Sequence, residues 1–279
     1  MQQRRLFSLL LTLLLFAIPS YTQPVRAQNN DDLSNAAVEL PSKEKFRIVV
    51  LAGQSNMAGR GFVEEEDKIP IPRVYMLSKE GQWVPAVDPV HYDKPSAGVG
   101  PGRAFAQLLV ESDPTIAVGL VPTACGGSSI DHWEPGVFFN QTKSYPFDDA
   151  ISRTKRALED GELEAILWRQ GESDATVQKA VNHAEKLQTF FERFRKEFDA
   201  PNLPILIGEL FYEEETDGSQ AIHRAQLEVV EKLQPAAFVS AEGTVLNPDR
   251  IHFDRQSQIE QGKRFFKALQ TLKEQGNDR

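Results

Sequence analysis

The 279-residue sequence carries a serine, a histidine and an aspartate where they can act together. Ser55 stands in Gly53-Gln54-Ser55-Asn56-Met57-Ala58-Gly59, directly after the apolar run that opens at Phe46. A fully buried strand that stops in a glycine-flanked turn puts this hydroxyl at the strand's C-terminal edge, where open parallel sheets bind their ligands. Asp249 and His252 stand three apart in a turn before the last helix, a spacing at which the carboxylate can hold the imidazole from behind. A serine hydroxyl becomes a nucleophile when a base takes its proton, and a third group orients the base. Ser55, His252 and Asp249 fill these roles, although a Gly-Gln-Ser-Asn sequence also suits a plain helix N-cap.

Acyl transfer further needs N–H donors aimed at the developing oxyanion, each worth roughly 3 kcal/mol. The candidates are the Ser55 N–H, the N–H of Gly126 or Gly127 in Cys125-Gly126-Gly127-Ser128-Ser129, and the Gln170 amide in Arg169-Gln170-Gly171-Glu172-Ser173-Asp174. Each candidate lies just past an apolar run, so a fold that brings successive strand ends to one edge gathers them into one site.

Such a fold is what the chain predicts. Strands are expected from Phe46 and over 116–121, 163–168, 204–208 and 237–240; helices over 103–112, 148–158, 175–198, 221–233 and 255–272. The long central helix would carry Val177, Val181, Leu187, Phe190, Phe191 and Phe194 on its apolar face. Strict alternation of strand and helix implies right-handed βαβ units and a five-stranded parallel sheet between helical layers. Residues 69–92, with scattered prolines and two short extended pieces near 74–76 and 83–84, read as an irregular insertion beside the site.

The first residues, Met1-Gln2-Gln3-Arg4-Arg5, precede a leucine-rich run over 6–18 and small residues ending at Ala27. This is the pattern of a secretory signal peptide over 1–27, too short and wrongly flanked for a spanning helix. A flexible lead-in over 28–44 and one domain over 45–275 follow, and secretion or export to a periplasm is expected. Cys125 is the only cysteine, so a disulfide within the chain is excluded. A net charge of −9 speaks against nucleic acid or an anionic membrane as the partner.

Four blocks in chain order resemble the sialate O-acetylesterase domain. They are Gly53 to Gly59, Cys125-Gly126-Gly127-Ser128-Ser129-Ile130-Asp131-His132-Trp133, Trp168 to Asp174, and Asp249-Arg250-Ile251-His252. That group belongs to the SGNH/GDSL hydrolase superfamily and includes the acetylxylan esterases of carbohydrate esterase family 6. The resemblance implies a three-layer α/β/α sandwich of flavodoxin type and removal of acetyl groups from carbohydrate hydroxyls, without a cofactor or metal. It makes Ser55 the nucleophile, His252 the base, Asp249 the acid, and Gly127, with Gly126 next to it, the oxyanion glycine. Gln170 stands where the wider superfamily has an asparagine, and Glu172 is an alternative to Asp249 as the orienting acid.

Gln54, Asn56, Arg60, Asp131 and Trp133 are the candidates for substrate contact, Arg60 through a substrate carboxylate and Trp133 by stacking on a sugar ring or else by core packing. His91, His183 and His223 lack metal-ligand spacing and read as surface or structural, and Cys125 as a small apolar filler. Two other readings stand beside the acetylated-carbohydrate esterase: a GDSL-type esterase for other short acyl esters, and a catalytically silent carbohydrate-binding module.

Overall fold

A computed structural model describes residues 38–277. The expected signal peptide and the first part of the lead-in lie outside the described residues. The opening apolar run forms β1 (Phe46–Gly53). With a period of two, Phe46, Ile48, Val50 and Ala52 enter one core and Val49 and Leu51 the other, so the strand is buried on both faces.

The other strands are β2 (Val74–Leu77), β3 (Trp83–Pro85), β4 (Ala117–Pro122), β5 (Glu162–Arg169), β6 (Ile205–Gly208) and β7 (Ala236–Val239). They form one sheet in the order β3-β2-β4-β1-β5-β6-β7, parallel except for the β2–β3 pair. The sheet therefore has seven strands where the sequence predicts five. The five expected ones, β4-β1-β5-β6-β7, keep the flavodoxin-type order. The additional two come from the stretch read as an irregular insertion. Their three or four residues are too short to show a period, but Val74 to Met76 pair in register with Val118 to Leu120, and the Trp83 ring packs edge-on against Phe46 at 4.8 Å.

The helices are α1 (Ser55–Ala58), α2 (Pro101–Ser112), α3 (Pro146–Leu158), α4 (Val177–Ala180), α5 (His183–Glu197), α6 (Asp217–Lys232) and α7 (Arg255–Asn277). Phe105 and Leu109 of α2 and Phe265 and Leu269 of α7 cover the Val49/Leu51 face; Ile151 of α3, Phe190, Phe191 and Phe194 of α5 and Val229 of α6 cover the other. This is the three-layer sandwich. The single helix expected over 175–198 is broken instead. Asn182 leaves helical geometry (φ −110°, ψ 15°), which turns Val177 and Val181 out to solvent and carries His183 into the interior beside Asp174. Among the described residues no helix is long and apolar enough to cross a membrane.

The chain leaves β1 for neighbours on both sides, β4 on one edge and β5 on the other. In such sheets the ligand crevice opens at this reversal, past the C-terminal strand ends. Everything that follows β1, β4, β5 and β7 is thereby aimed at one place.

Candidate active site

The strand ends are tied together before any side chain is considered. Gln54 N donates to Arg169 O (2.8 Å) and Cys125 N to Gly53 O (2.9 Å), joining the segments after β1, β5 and β4. Gly53 has φ +128°, and a Cβ there would lie 2.1 Å from the Arg169 carbonyl oxygen, so only glycine lets these backbones close. Ser55 then opens α1 as its first residue, and among the described residues its N–H meets no acceptor, as expected for a first helical turn.

The loop after β7 comes back to meet it. Asn247 N donates to His252 O (2.7 Å), and its side-chain amide donates to Arg60 O (2.9 Å), which pins a tight loop over the start of α1. His252 Nε2 then lies 2.9 Å from Ser55 Oγ, and His252 Nδ1 lies 2.7 Å from Asp249 Oδ2. Asp249 Oδ1 accepts the N–H groups of Ile251 and His252, each at 2.9 Å. Partial burial would raise the Asp249 carboxyl, but these N–H groups and the imidazole outweigh it and hold the group below the ordinary carboxylate range. The chain Ser55, His252, Asp249 is hydrogen-bonded throughout, at distances suited to proton transfer from the hydroxyl to the imidazole.

Glu172 is placed differently. Its Oε1 accepts from Asn56 Nδ2 (2.7 Å), and Asn56 also donates to Ile251 O (3.1 Å) and accepts from Phe253 N (3.0 Å). Asn56 is thus a clamp between the nucleophile turn and the backbone on either side of His252, and Glu172 acts on that clamp. Gln54 has a similar part: its Oε1 accepts from Gly171 N (3.4 Å) and Ser173 N (3.3 Å). Both residues, expected at the substrate, are buried and support the loops.

Of the expected oxyanion donors, Gly127 is the one glycine with a free N–H. Gly126 N donates to Asp93 Oδ2 (2.9 Å), whereas the Gly127 N–H, in a residue with φ +88°, has no partner among the described residues. Gln170 does not offer the expected donor. Its side chain is fully buried and its amide nitrogen is committed to Asp174 Oδ2 (2.7 Å) and Ser128 O (3.1 Å). Asp174 draws it inward by also accepting Ile130 N (2.7 Å).

The remaining expectations also change. Arg60 is ion-paired with Asp93 (2.7 Å) and donates to Gly59 O (2.6 Å), so its charge is already matched. Asp131 is exposed and pairs with Lys186. Trp133 is 1% exposed, wedged against Trp168 and Phe190, and its indole N–H donates to Ser128 Oγ (3.1 Å); its faces belong to the core and not to a sugar. Two residues beside the site escaped the sequence reading. Asp93 joins Arg60 to the Gly126–Gly127 turn, and Phe62 stands 70% exposed at the rim of a cavity bordered by His252.

The histidines read as surface or structural are placed as such: His91 and His183 are buried, and His223 sits at the surface against Glu209 (3.0 Å). Cys125 is buried, which pushes its thiol up to about 11 and leaves it a filler. Among the described residues no group of three or more His, Cys, Asp or Glu side chains is arranged to hold a metal ion. A separate cleft between residues 66–73 and the outer face of α2 and α7 contains none of Ser55, Asp249 or His252; within it Arg103 pairs with Asp88 (3.0 Å) and Arg255 with Asp67 (2.7 Å).

The chain is similar to known proteins in sequence and in fold. A relative from Arabidopsis thaliana, described as a probable carbohydrate esterase, is 32% identical over 238 residues, covering 77% of this chain and 87% of its own. The X-ray structure of that Arabidopsis protein superposes with a TM-score of 0.71 at 30% identity, over 81% of this chain and 98% of the other. The fold is also shared with NanS (TM-score 0.65, 16% identity, 85% of this chain and 100% of the other). The same holds for a carbohydrate acetylesterase from Xanthomonas citri (TM-score 0.63, 18% identity, 82% of this chain and 56% of the other). Residues 45–271 match the family model for "Carbohydrate esterase, sialic acid-specific acetylesterase", and the chain belongs to that family of carbohydrate esterases.

Proposed function

We propose that this carbohydrate esterase is an exported serine hydrolase that removes O-acetyl groups from a glycan, with Ser55, His252 and Asp249 as its catalytic residues. The observation that carries the reading is the unbroken chain of contacts from Ser55 Oγ to His252 Nε2 (2.9 Å) and from His252 Nδ1 to Asp249 Oδ2 (2.7 Å). Ser55 Oγ attacks the acetyl carbonyl carbon while His252 Nε2 takes the hydroxyl proton. The negative oxygen that forms is met by the free N–H groups of Ser55 and Gly127. As the C–O bond to the sugar breaks, the imidazolium returns the proton to the departing sugar oxygen. Water, deprotonated by the same imidazole, then attacks the acetyl-Ser55 carbonyl carbon; as the bond to Ser55 Oγ breaks the imidazolium returns that proton to Oγ, and acetate is freed. Asp249, kept ionised by its N–H donors, holds the ring in the tautomer these steps need and offsets its positive charge.

The test is acetate release from acetylated xylan and from a 9-O-acetylated sialoside by wild type and by Ser55→Ala. Release from either glycan, abolished in the variant, is the expected result. Hydrolysis of short acyl esters with no release from either glycan would leave the GDSL-type esterase reading. Export is tested separately: mature protein recovered from the producing cells should begin at Gln28.

A further inference from the structure

The ester that Ser55 attacks has a carbohydrate side, and the geometry fixes where that side must lie. The departing oxygen receives its proton from His252 Nε2, so it has to come within hydrogen-bond reach of that atom. The sugar therefore leaves on the His252 side of Ser55, away from the Gly127 turn. Among the described residues a cavity of about 520 Å³, within the roughly 300–1,000 Å³ of small-ligand pockets, borders His252 and contains no residue of the Gly126–Gly127 turn. His252 and Asp249 border it, and Phe62, Val63, Ala97 and Pro248 are among the other lining residues.

Resting on the acetylesterase reading above, we propose that this cavity is the subsite for the leaving sugar ring and that Phe62 is its stacking platform. Phe62 is 70% exposed at the rim of this cavity, and an aromatic side chain open to solvent there suits the C–H face of a pyranose. The lining is mostly apolar, and its one cation, Arg60, is bound to Asp93. A carboxylate on the sugar would find no unmatched positive charge in the cavity, so the ring it takes is a neutral one. Backbone contacts hold the platform in place: Gly61 N donates to Val99 O (3.1 Å), and Val99 N to Gly61 O (2.9 Å).

The experiment compares kcat/KM for an acetylated neutral xylo-oligosaccharide with kcat/KM for ethyl acetate, whose leaving group is too small to span the cavity, in wild type, Phe62→Ala and Phe62→Trp. Phe62→Ala should lower the ratio of glycan to ethyl acetate about 3- to 10-fold, chiefly through the glycan KM, since stacking acts on ground and transition states alike. Phe62→Trp should restore the ratio. A ratio unchanged in Phe62→Ala overturns the subsite while leaving the esterase reading intact. A loss that Phe62→Trp does not repair also overturns it, because the aromatic face would then not be what matters. No acetate from the xylo-oligosaccharide with wild type, alongside turnover of ethyl acetate, overturns the neutral-ring subsite, and the acetylesterase reading falls with it only if the 9-O-acetylated sialoside is not deacetylated either.

Discussion

The two sides of Ser55 are built on opposite plans. On the His252 side the groups are open: the imidazole is 23% exposed, Asp249 is 46% exposed, and a cavity borders both. On the Gln170 side they are sealed: Gln170, Asp174 and His183 are at most 1% exposed, Gln170 hydrogen-bonds Asp174 and the Ser128 carbonyl, and the His183 ring lies 3.7 Å from Asp174. Proton transfer needs a group that substrate and water can reach, and a fixed strand edge needs groups that neither can reach. Under the function proposed above, the open wall is the one that reacts and the sealed wall the one that positions.

The largest effect that would sharpen this contrast lies on the open wall. Asp249→Asn should cut kcat by about 10²–10⁴-fold, the scale of losing an imidazole's orienting acid, with little change in thermal stability. Glu172→Gln, which touches the site through Asn56, should cost about tenfold or less. Steady-state kinetics on an acetylated glycan decide between them, and a larger loss at Glu172 would exchange their roles.

Acid should act on the fold through its buried histidines. Burial pushes His91 down to about 4 and lowers His183 also, against the pull of Asp93 and Asp174 respectively. The unfolded chain binds these protons from about pH 6.5 downward while the folded chain refuses them, so stability present above that pH is lost as pH falls toward about 4. His91 alone accounts for on the order of 3 kcal/mol of that loss. Denaturant melts at pH 7 and pH 5 should show it, and His91→Gln should flatten the dependence. Equal stability at the two values would mean that these histidines are hydrated in solution.

Gln170→Ala separates the sequence reading from the structure. A sealed, positioning Gln170 predicts a stability loss of about 2–4 kcal/mol, from stranding Asp174 and the Ser128 carbonyl and leaving a cavity, with kcat of the folded enzyme within about tenfold. An oxyanion donor would instead cost about 10²–10³-fold in kcat. Smaller still is Asp93→Asn, which keeps a side-chain oxygen for Gly126 N–H but removes the charge facing Arg60. It should lower kcat several-fold, up to about tenfold, with KM little changed, as the Gly126–Gly127 turn loosens.

What could be read without the structure follows from range. The approach of Ser55 to the sheet edge and the Asp249–His252 pairing are local, one written in an apolar run ended by glycine and the other in a three-residue spacing. The central strands were legible because they are long and buried on both faces. Whether the Gln170 amide is free depends on Ser128, 42 residues away, and Asp174, which no spacing reveals. Trp133 goes to the core because Trp168 and Phe190 are there to receive it. β2, β3, Phe62 and Asp93 lie in a proline-interrupted stretch whose short pieces gain their order from partners distant in sequence, among them β4, Phe46, Val99 and the Gly126–Gly127 turn.

The most direct test of the reactive wall is labelling with a fluorophosphonate probe, which reacts with a hydroxyl that a neighbouring base has activated. Wild type should be modified at Ser55 alone, as read by peptide mass mapping, and His252→Ala should lose the label while keeping its fold by circular dichroism. Modification at another residue, or labelling of Ser55 that persists at the same rate without His252, would contradict the assignment of Ser55 and His252 as nucleophile and base.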